Sequence, residues 1–289
     1  MVAMIIVLAV YIIILVLLYI VSYKSYSQII EGLDKREFQL KGLLPIGLYI
    51  LDTFKYGYNT GYDRKLLIAE AELYGHKKAL DMLRIHWGGK ISLMMISLVF
   101  LLFVGTTTKL DTGYAVFCIL LQAGIIIFSD RDLMERVKKR RQSIQLDFPD
   151  FVNKLTLLVN AGMTVSRAWE KAALDTNRQT PLYIELGVSV LDIRSGVPEY
   201  KAFEEFAQRC HVPVITRFVS VVLQNMRKGN DELVPVFRLF ASECWELRKS
   251  TAKKFGEEAS TKLLFPMMLM LTAILLIVGM PAVLALRNI

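Results

Sequence analysis

Four uncharged apolar runs divide the chain: Val2 to Val21, Ile91 to Thr108, Thr112 to Ser129 and Leu263 to Leu286. A helix needs about 20 apolar residues to cross a hydrocarbon core of about 30 Å. The first and last runs meet that length. The middle two, about eighteen residues each, sit at its short end and read either as two spans or as a buried helical hairpin. Strongly charged flanks bracket both and favour spans.

Between these runs the pattern takes a helical period. In the segment Ser22 to Lys90, the patch Leu43 to Leu51 is too short to span, and predicts seating at a membrane interface or packing on another helix. The turn YGYNTGYD follows. Then Leu66, Ala69, Leu73, His76, Leu80, Leu83 and Trp87 recur at steps of three and four, which predicts one amphipathic helix leading into the second span. Glu70, Glu72, Lys77, Lys78 and Asp81 fall on its other side, and His86 with Trp87 reads as an interfacial pair.

From Asp147 to Lys262 the pattern predicts six helices. The first carries Phe148, Phe151, Val152, Leu155 and Val159 inward and stops at Gly162. Thr164 is positioned to cap the second, with Val165, Ala168, Trp169, Ala172 and Ala173 on one face. Thr180 caps the third, Pro181 opens it and Gly196 ends it. Pro198 opens the fourth, with Phe203, Phe206, Ala207 and Cys210 aligned. Pro213 opens the fifth, with Ile215, Phe218, Val219, Val222, Leu223 and Met226. Gly229 and Asn230 close it and cap the sixth, whose face holds Leu233, Val236, Phe237, Phe240, Cys244 and Leu247. This last helix has no strong breaker beyond Pro235 in its first turn and runs directly into the fourth span, which carries Pro266 and Pro281. Short connections predict antiparallel neighbours.

The expected fold class is therefore all-α: a polytopic membrane protein with four transmembrane helices and a cytosolic antiparallel six-helix bundle. The expected division is span one over 1–21, a cytosolic amphipathic segment over 22–90, spans two and three over 91–108 and 112–129, the bundle over 130–262, and span four over 263–286.

Charge adds an orientation. Ser22 to Lys90 holds eleven basic residues, the loop at Lys109 one, and RDLMERVKKRR follows the third span. Lys and Arg concentrate in cytoplasmic loops, so both termini are expected outside and the bundle in the cytosol of a multi-pass cell-membrane protein. Val2 to Val21 lacks a basic leader and a small-residue cleavage site, and reads as a retained anchor. The net charge of +8 is accounted for by basic residues facing anionic lipid, and calls for no nucleic acid. Cys118 lies in a span and Cys210 and Cys244 on the reducing side, so no disulfide framework is expected.

Chemistry is sparse. Gly88-Gly89-Lys90 is followed by Ile91 and lacks the upstream glycine of a nucleotide-binding loop. H-E-x-x-H, C-x-x-C and G-x-S-x-G are absent, and Cys210 and His211 are adjacent, which points a nucleophile and its base apart. The four runs hold no Asp, Glu, Lys, Arg or His. That argues against the alternative of a small transporter or channel component. No catalytic residue, cofactor or metal set is expected. Two basic clusters are candidate contacts to a partner or to lipid: Arg136, Lys138, Lys139, Arg140 and Arg141, and then Arg248, Lys249, Lys253 and Lys254. Gly162, Pro181, Gly196, Pro198, Pro213, Gly229, Pro266 and Pro281 are read as structural.

The strings DFPDFVNKLTLLVNAGMTVSRAWEKA, SGVPEYKAFEEFAQRC and QNMRKGNDELVPVFRLFA, closed by KLLFPMMLMLTAILLIVGMPAVL, together resemble the type II secretion F domain over about Asp147 to Leu286. One copy of that domain after a pair of spans is similar to the TadB and TadC platform proteins of tight-adherence (Flp) pili, and the segment order looks closer to the TadC type. The resemblance implies a non-enzymatic platform in the cytoplasmic membrane. Its implied partners are a hexameric secretion ATPase, a paralogous platform protein and pilin subunits, within a homo- or hetero-oligomer.

Overall fold

A computed structural model describes residues 2–31, 42–107, 111–174, 178–226 and 230–287. Its ten helices are α1 (Val2–Glu31), α2 (Leu44–Thr53), α3 (Gly61–Tyr74), α4 (Ala79–Thr107), α5 (Thr112–Asn160), α6 (Val165–Leu174), α7 (Pro181–Arg194), α8 (Glu199–Cys210), α9 (Pro213–Met226) and α10 (Asn230–Arg287). The fold is all-α, with no strand among the described residues. Stretches of α1, α4, α5 and α10 are long and apolar enough to cross a membrane. Two compact units divide the chain, Met1–Arg141 and Gln142–Ile289.

In the first unit, α2 packs on α1 and α4. The patch at Leu43 to Leu51 thus takes the packed alternative, with Leu44, Ile46, Leu48 and Leu51 buried. The crossing with α4 is close enough that a Cβ at Gly47 would collide with the Gly88 carbonyl oxygen. Ser92 stitches the same point, donating to the Leu43 carbonyl (2.7 Å) and accepting from the Gly47 N–H (3.0 Å). Higher up, Tyr11 of α1 donates to the Met95 carbonyl of α4 (3.1 Å).

The single amphipathic helix expected over 66–87 is instead two. Gly75 turns the chain at φ +82° between α3 and α4, which leaves His76 exposed in the turn. Leu80 is exposed as well, while Glu70 and Glu72, expected toward solvent, are buried. Periodicity continued in register across the turn, and so concealed it.

The second unit joins the end of α5 to α6–α10 around one aromatic core. Trp169 sits at its centre with no exposed surface. Its ring meets Phe151 (4.9 Å) and Phe206 (5.2 Å) edge-on and lies against Phe203 (4.3 Å). Edge-to-face arrangements of this kind add to the burial of area. Phe218 gathers Phe148, Phe237 and Phe240 in the same way.

Helix ends follow backbone chemistry. Gly162 (φ +91°) and Gly196 (φ +94°) adopt the left-handed region that side-chain-bearing residues disfavour. The bonds Met163 N–H to Leu158 O (3.2 Å) and Val197 N–H to Asp192 O (3.0 Å) then satisfy the last free carbonyls. Pro181 and Pro213 are the first residues of α7 and α9, and Pro198 is the N-cap of α8. Thr180 departs from its expected role, since its hydroxyl caps nothing in α7. Gly229 lies outside the described residues, as do the side chains of Cys244, Leu247, Lys254 and Pro281.

One helix is longer than its sequence suggests, and another is continuous as expected. The expected helix start near Asp147 does not exist, and α5 runs through Pro149. A proline there removes one backbone bond, and the buried side chains Ile144, Phe148 and Phe151 on either side hold the axis in place. The bundle's last helix and the fourth apolar run are one helix, as expected: α10 begins at Asn230 and carries 58 residues, about 87 Å at 1.5 Å per residue. Pro235 is its sixth residue rather than part of its first turn. The stretch Ser260–Gly279 of α10 is the fourth membrane-length segment, and none of it is buried.

Candidate functional site

Where the apolar stretch of α4 begins and that of α5 ends, a buried polar cluster ties α3, α4 and α5 together. Lys90 is its centre and is only 1% exposed. Its ammonium pairs with Asp130, donates to the Tyr62 hydroxyl (2.6 Å), and stands over the rings of Tyr62 (4.9 Å) and Trp87 (4.8 Å). Such ring faces attract a cation most strongly once water is excluded. Asp130 also accepts from Tyr62 and lies 3.3 Å from His86 Nε2, while His86 Nδ1 is 3.9 Å from Glu70.

A second set of bonds fixes α3 against this cluster. Thr60 and Asp63 form a reciprocal capping box at the start of α3, which satisfies two free backbone donors at once. Asp63 then receives the Trp87 indole N–H (2.9 Å) and the Tyr56 hydroxyl (3.1 Å). Burial pushes the Asp63 carboxyl up, but the bonds from Thr60, Tyr56 and Trp87 outweigh it and hold the group below its ordinary value.

That direction sets a pH dependence. A carboxyl whose folded value is lowered contributes stability above its unfolded value, about 4, and loses it as pH falls through the folded value. Thermal unfolding of the full chain below pH 4 should thus weaken more steeply than in Asp63→Asn. At neutral pH the same substitution should cost about 1 kcal/mol, because the charge-assisted bonds that Asp63 accepts become neutral ones. Parallel pH profiles would remove Asp63 from this role.

The far end of α3 is held by Arg141, whose guanidinium donates two bonds to the Glu72 carboxylate (2.7 and 2.6 Å). Between the two polar ends Leu66 and Ala69 share a buried cluster with Leu83, Leu133 and Val137.

The basic residues singled out from sequence thus separate. Arg141 faces Glu72, Arg136 pairs with Asp132 (2.9 Å), and Lys139 lies 4.0 Å from Glu135. Arg140 is half-buried, while Lys138 and Lys139 are exposed. In the second unit Arg248 pairs with Asp150 (2.9 Å) and lies over the exposed Trp245 ring, whereas Lys249 and Lys253 are exposed. No group of three or more His, Cys, Asp or Glu suited to a metal ion occurs among the described residues.

Sequence reasoning missed Lys90, Asp130, Tyr62 and Glu72. A signal for the first two was present. Lys90 is the last charge before one apolar run and Asp130 the first after the next, so a hairpin brings opposite charges to the same end.

These features define a helical membrane protein in which the last helix of a compact bundle continues into a membrane-length segment. Residues 151–281 match the family described as Type II secretion system (T2SS), protein F, so the chain carries that domain, from within α5 to within α10. No curated protein and no solved structure matches the chain.

Proposed function

We propose that the chain is a cytoplasmic-membrane platform protein of a type II secretion or Tad-type pilus machine, without enzymatic activity. On this reading it couples a cytosolic hexameric secretion ATPase to pilin extraction, beside a paralogous platform protein. The observation that carries the reading is the F-domain match, which ends inside α10 where the bundle's last helix is also an apolar membrane-length helix. A single F domain after a pair of spans, with Ser22 to Lys90 ahead of that pair, favours the TadC type. The excess of Lys and Arg between the first and second spans and after the third supports a cytosolic bundle, on which the exposed Lys138, Lys139, Lys249 and Lys253 would face anionic lipid or the motor.

The test is a pull-down of tagged full-length protein from detergent-solubilised membranes, with partners identified by mass spectrometry. Recovery of a secretion ATPase and a second platform protein is expected. Recovery of neither, together with solute flux from the purified protein in liposomes, would favour a transporter or channel component instead.

The helical path through α10 gives a second test. Lys253 lies in α10 before its apolar stretch, and a proline there costs about 3 kcal/mol in a helix interior and kinks it. Lys253→Pro should insert into the membrane normally yet abolish pilus assembly. Piliation at the wild-type level would remove α10 from the coupling role.

A further inference from the structure

α3 and α5 run parallel, and their polar contacts keep one register. Tyr62 meets Asp130 and Glu72 meets Arg141, pairs 68 and 69 positions apart. Leu66 and Ala69 of α3, Leu133 and Val137 of α5 and Leu83 of α4 fill the interval as one buried cluster. We infer that α3 is a splint on this part of α5, locked at Asp130 and held by a releasable latch at Arg141.

The two ends differ in a way that assigns the roles. At the Asp130 end Lys90 is shut away from water and held by a carboxylate, a hydroxyl and two aromatic faces. Opening that end strands a buried ammonium, which is strongly unfavourable. Beside it the capping box and the Trp87–Asp63 bond secure the first turn of α3.

At the other end the Arg141 side chain is 47% exposed while that of Glu72 is fully buried. Water reaches the guanidinium, so the cation loses little on release. The carboxylate stands differently. Glu72 lies in the last turn of α3, which contains no basic residue, and a negative charge there opposes the helix dipole. Arg141 supplies the missing cation, through a planar fork that binds both carboxylate oxygens. Without it Glu72 is a buried charge at the wrong end of a helix, and the last turns of α3 must undock to hydrate it. Gly75 follows directly at positive φ and provides the pivot.

Arg141 is also the last residue of the first unit, and α5 passes through it without a break. The latch therefore governs whether α5 leaves that unit splinted or free. The use of such a release rests on the platform reading, but the latch itself does not.

Hydrogen exchange on the full chain in lipid nanodiscs tests it with no partner present, so the latch and the platform reading fail separately. In Arg141→Gln, amides of residues 69–75 and 134–141 should exchange at least roughly tenfold faster, as expected for loss of a charge-assisted bidentate pair. Amides of residues 64–66 should stay as in wild type. The swap Glu72→Arg with Arg141→Glu should restore slow exchange. Unchanged exchange in Arg141→Gln, simultaneous opening of both halves of α3, or failure of the swap would each overturn the latch.

Discussion

Asp130→Ala should destabilise the first unit by about 3–5 kcal/mol, the cost of leaving one member of a buried ion pair without its partner. The size follows from the surroundings of Lys90. Its ammonium is shut away from water, and neither the Tyr62 hydroxyl nor the two ring faces can replace a carboxylate. The same substitution strips Tyr62 and His86 of their shared acceptor. Lys90→Met with Asp130→Leu removes both charges and should recover most of the loss, since a buried pair exchanged for apolar groups of similar volume is close to neutral. Thermal unfolding of the full chain in one detergent, with hydrogen exchange to localise the change to residues 42–141, measures both. A double variant no more stable than Asp130→Ala would mean that the pair is not what the single substitution breaks.

This cluster also shows where sequence reading stops. Apolar periodicity located the bundle helices and their inward faces, and Trp169, Phe203, Phe206, Phe218 and Val222 are all buried as their spacing required. Positive-φ glycines at 162 and 196 end helices where the pattern ended. Both successes are local, because the signal for a face or a terminus lies within one helical turn or two. Glu72 is the opposite case. On its own helix it reads as a solvent-facing charge, and only Arg141, 69 positions away, makes its burial tolerable. The α3–α4 turn was lost for a related reason, as a stripe that resumes in register across Gly75 is indistinguishable from an unbroken helix. Pro149 misled in the other direction. Its usual place is a first turn, yet buried neighbours on both sides carry α5 through it.

Trp169→Ala should cost the second unit about 3–5 kcal/mol, the range for removing a large aromatic from a packed core. Three aromatic partners from α5 and α8 converge on this ring, and its indole N–H donates to Ser189 of α7 (3.0 Å). One side chain thus joins α5, α6, α7 and α8. Truncation leaves a cavity bounded by Phe151, Phe203 and Phe206, rigid rings that cannot collapse into it. Ser189 keeps its own bond to the Leu186 carbonyl (2.7 Å), so lost packing rather than an orphaned hydroxyl dominates. Trp169→Phe, which retains most of the ring and loses only the N–H, should therefore cost less than half as much. Hydrogen exchange over residues 142–226 reads the effect separately from the first unit, whose amides should not respond. A loss below about 1 kcal/mol for Trp169→Ala would mean that the ring fills space the bundle can close without it. The keystone of the F-domain fold would then have to be sought at Phe218, the other residue on which aromatic contacts converge.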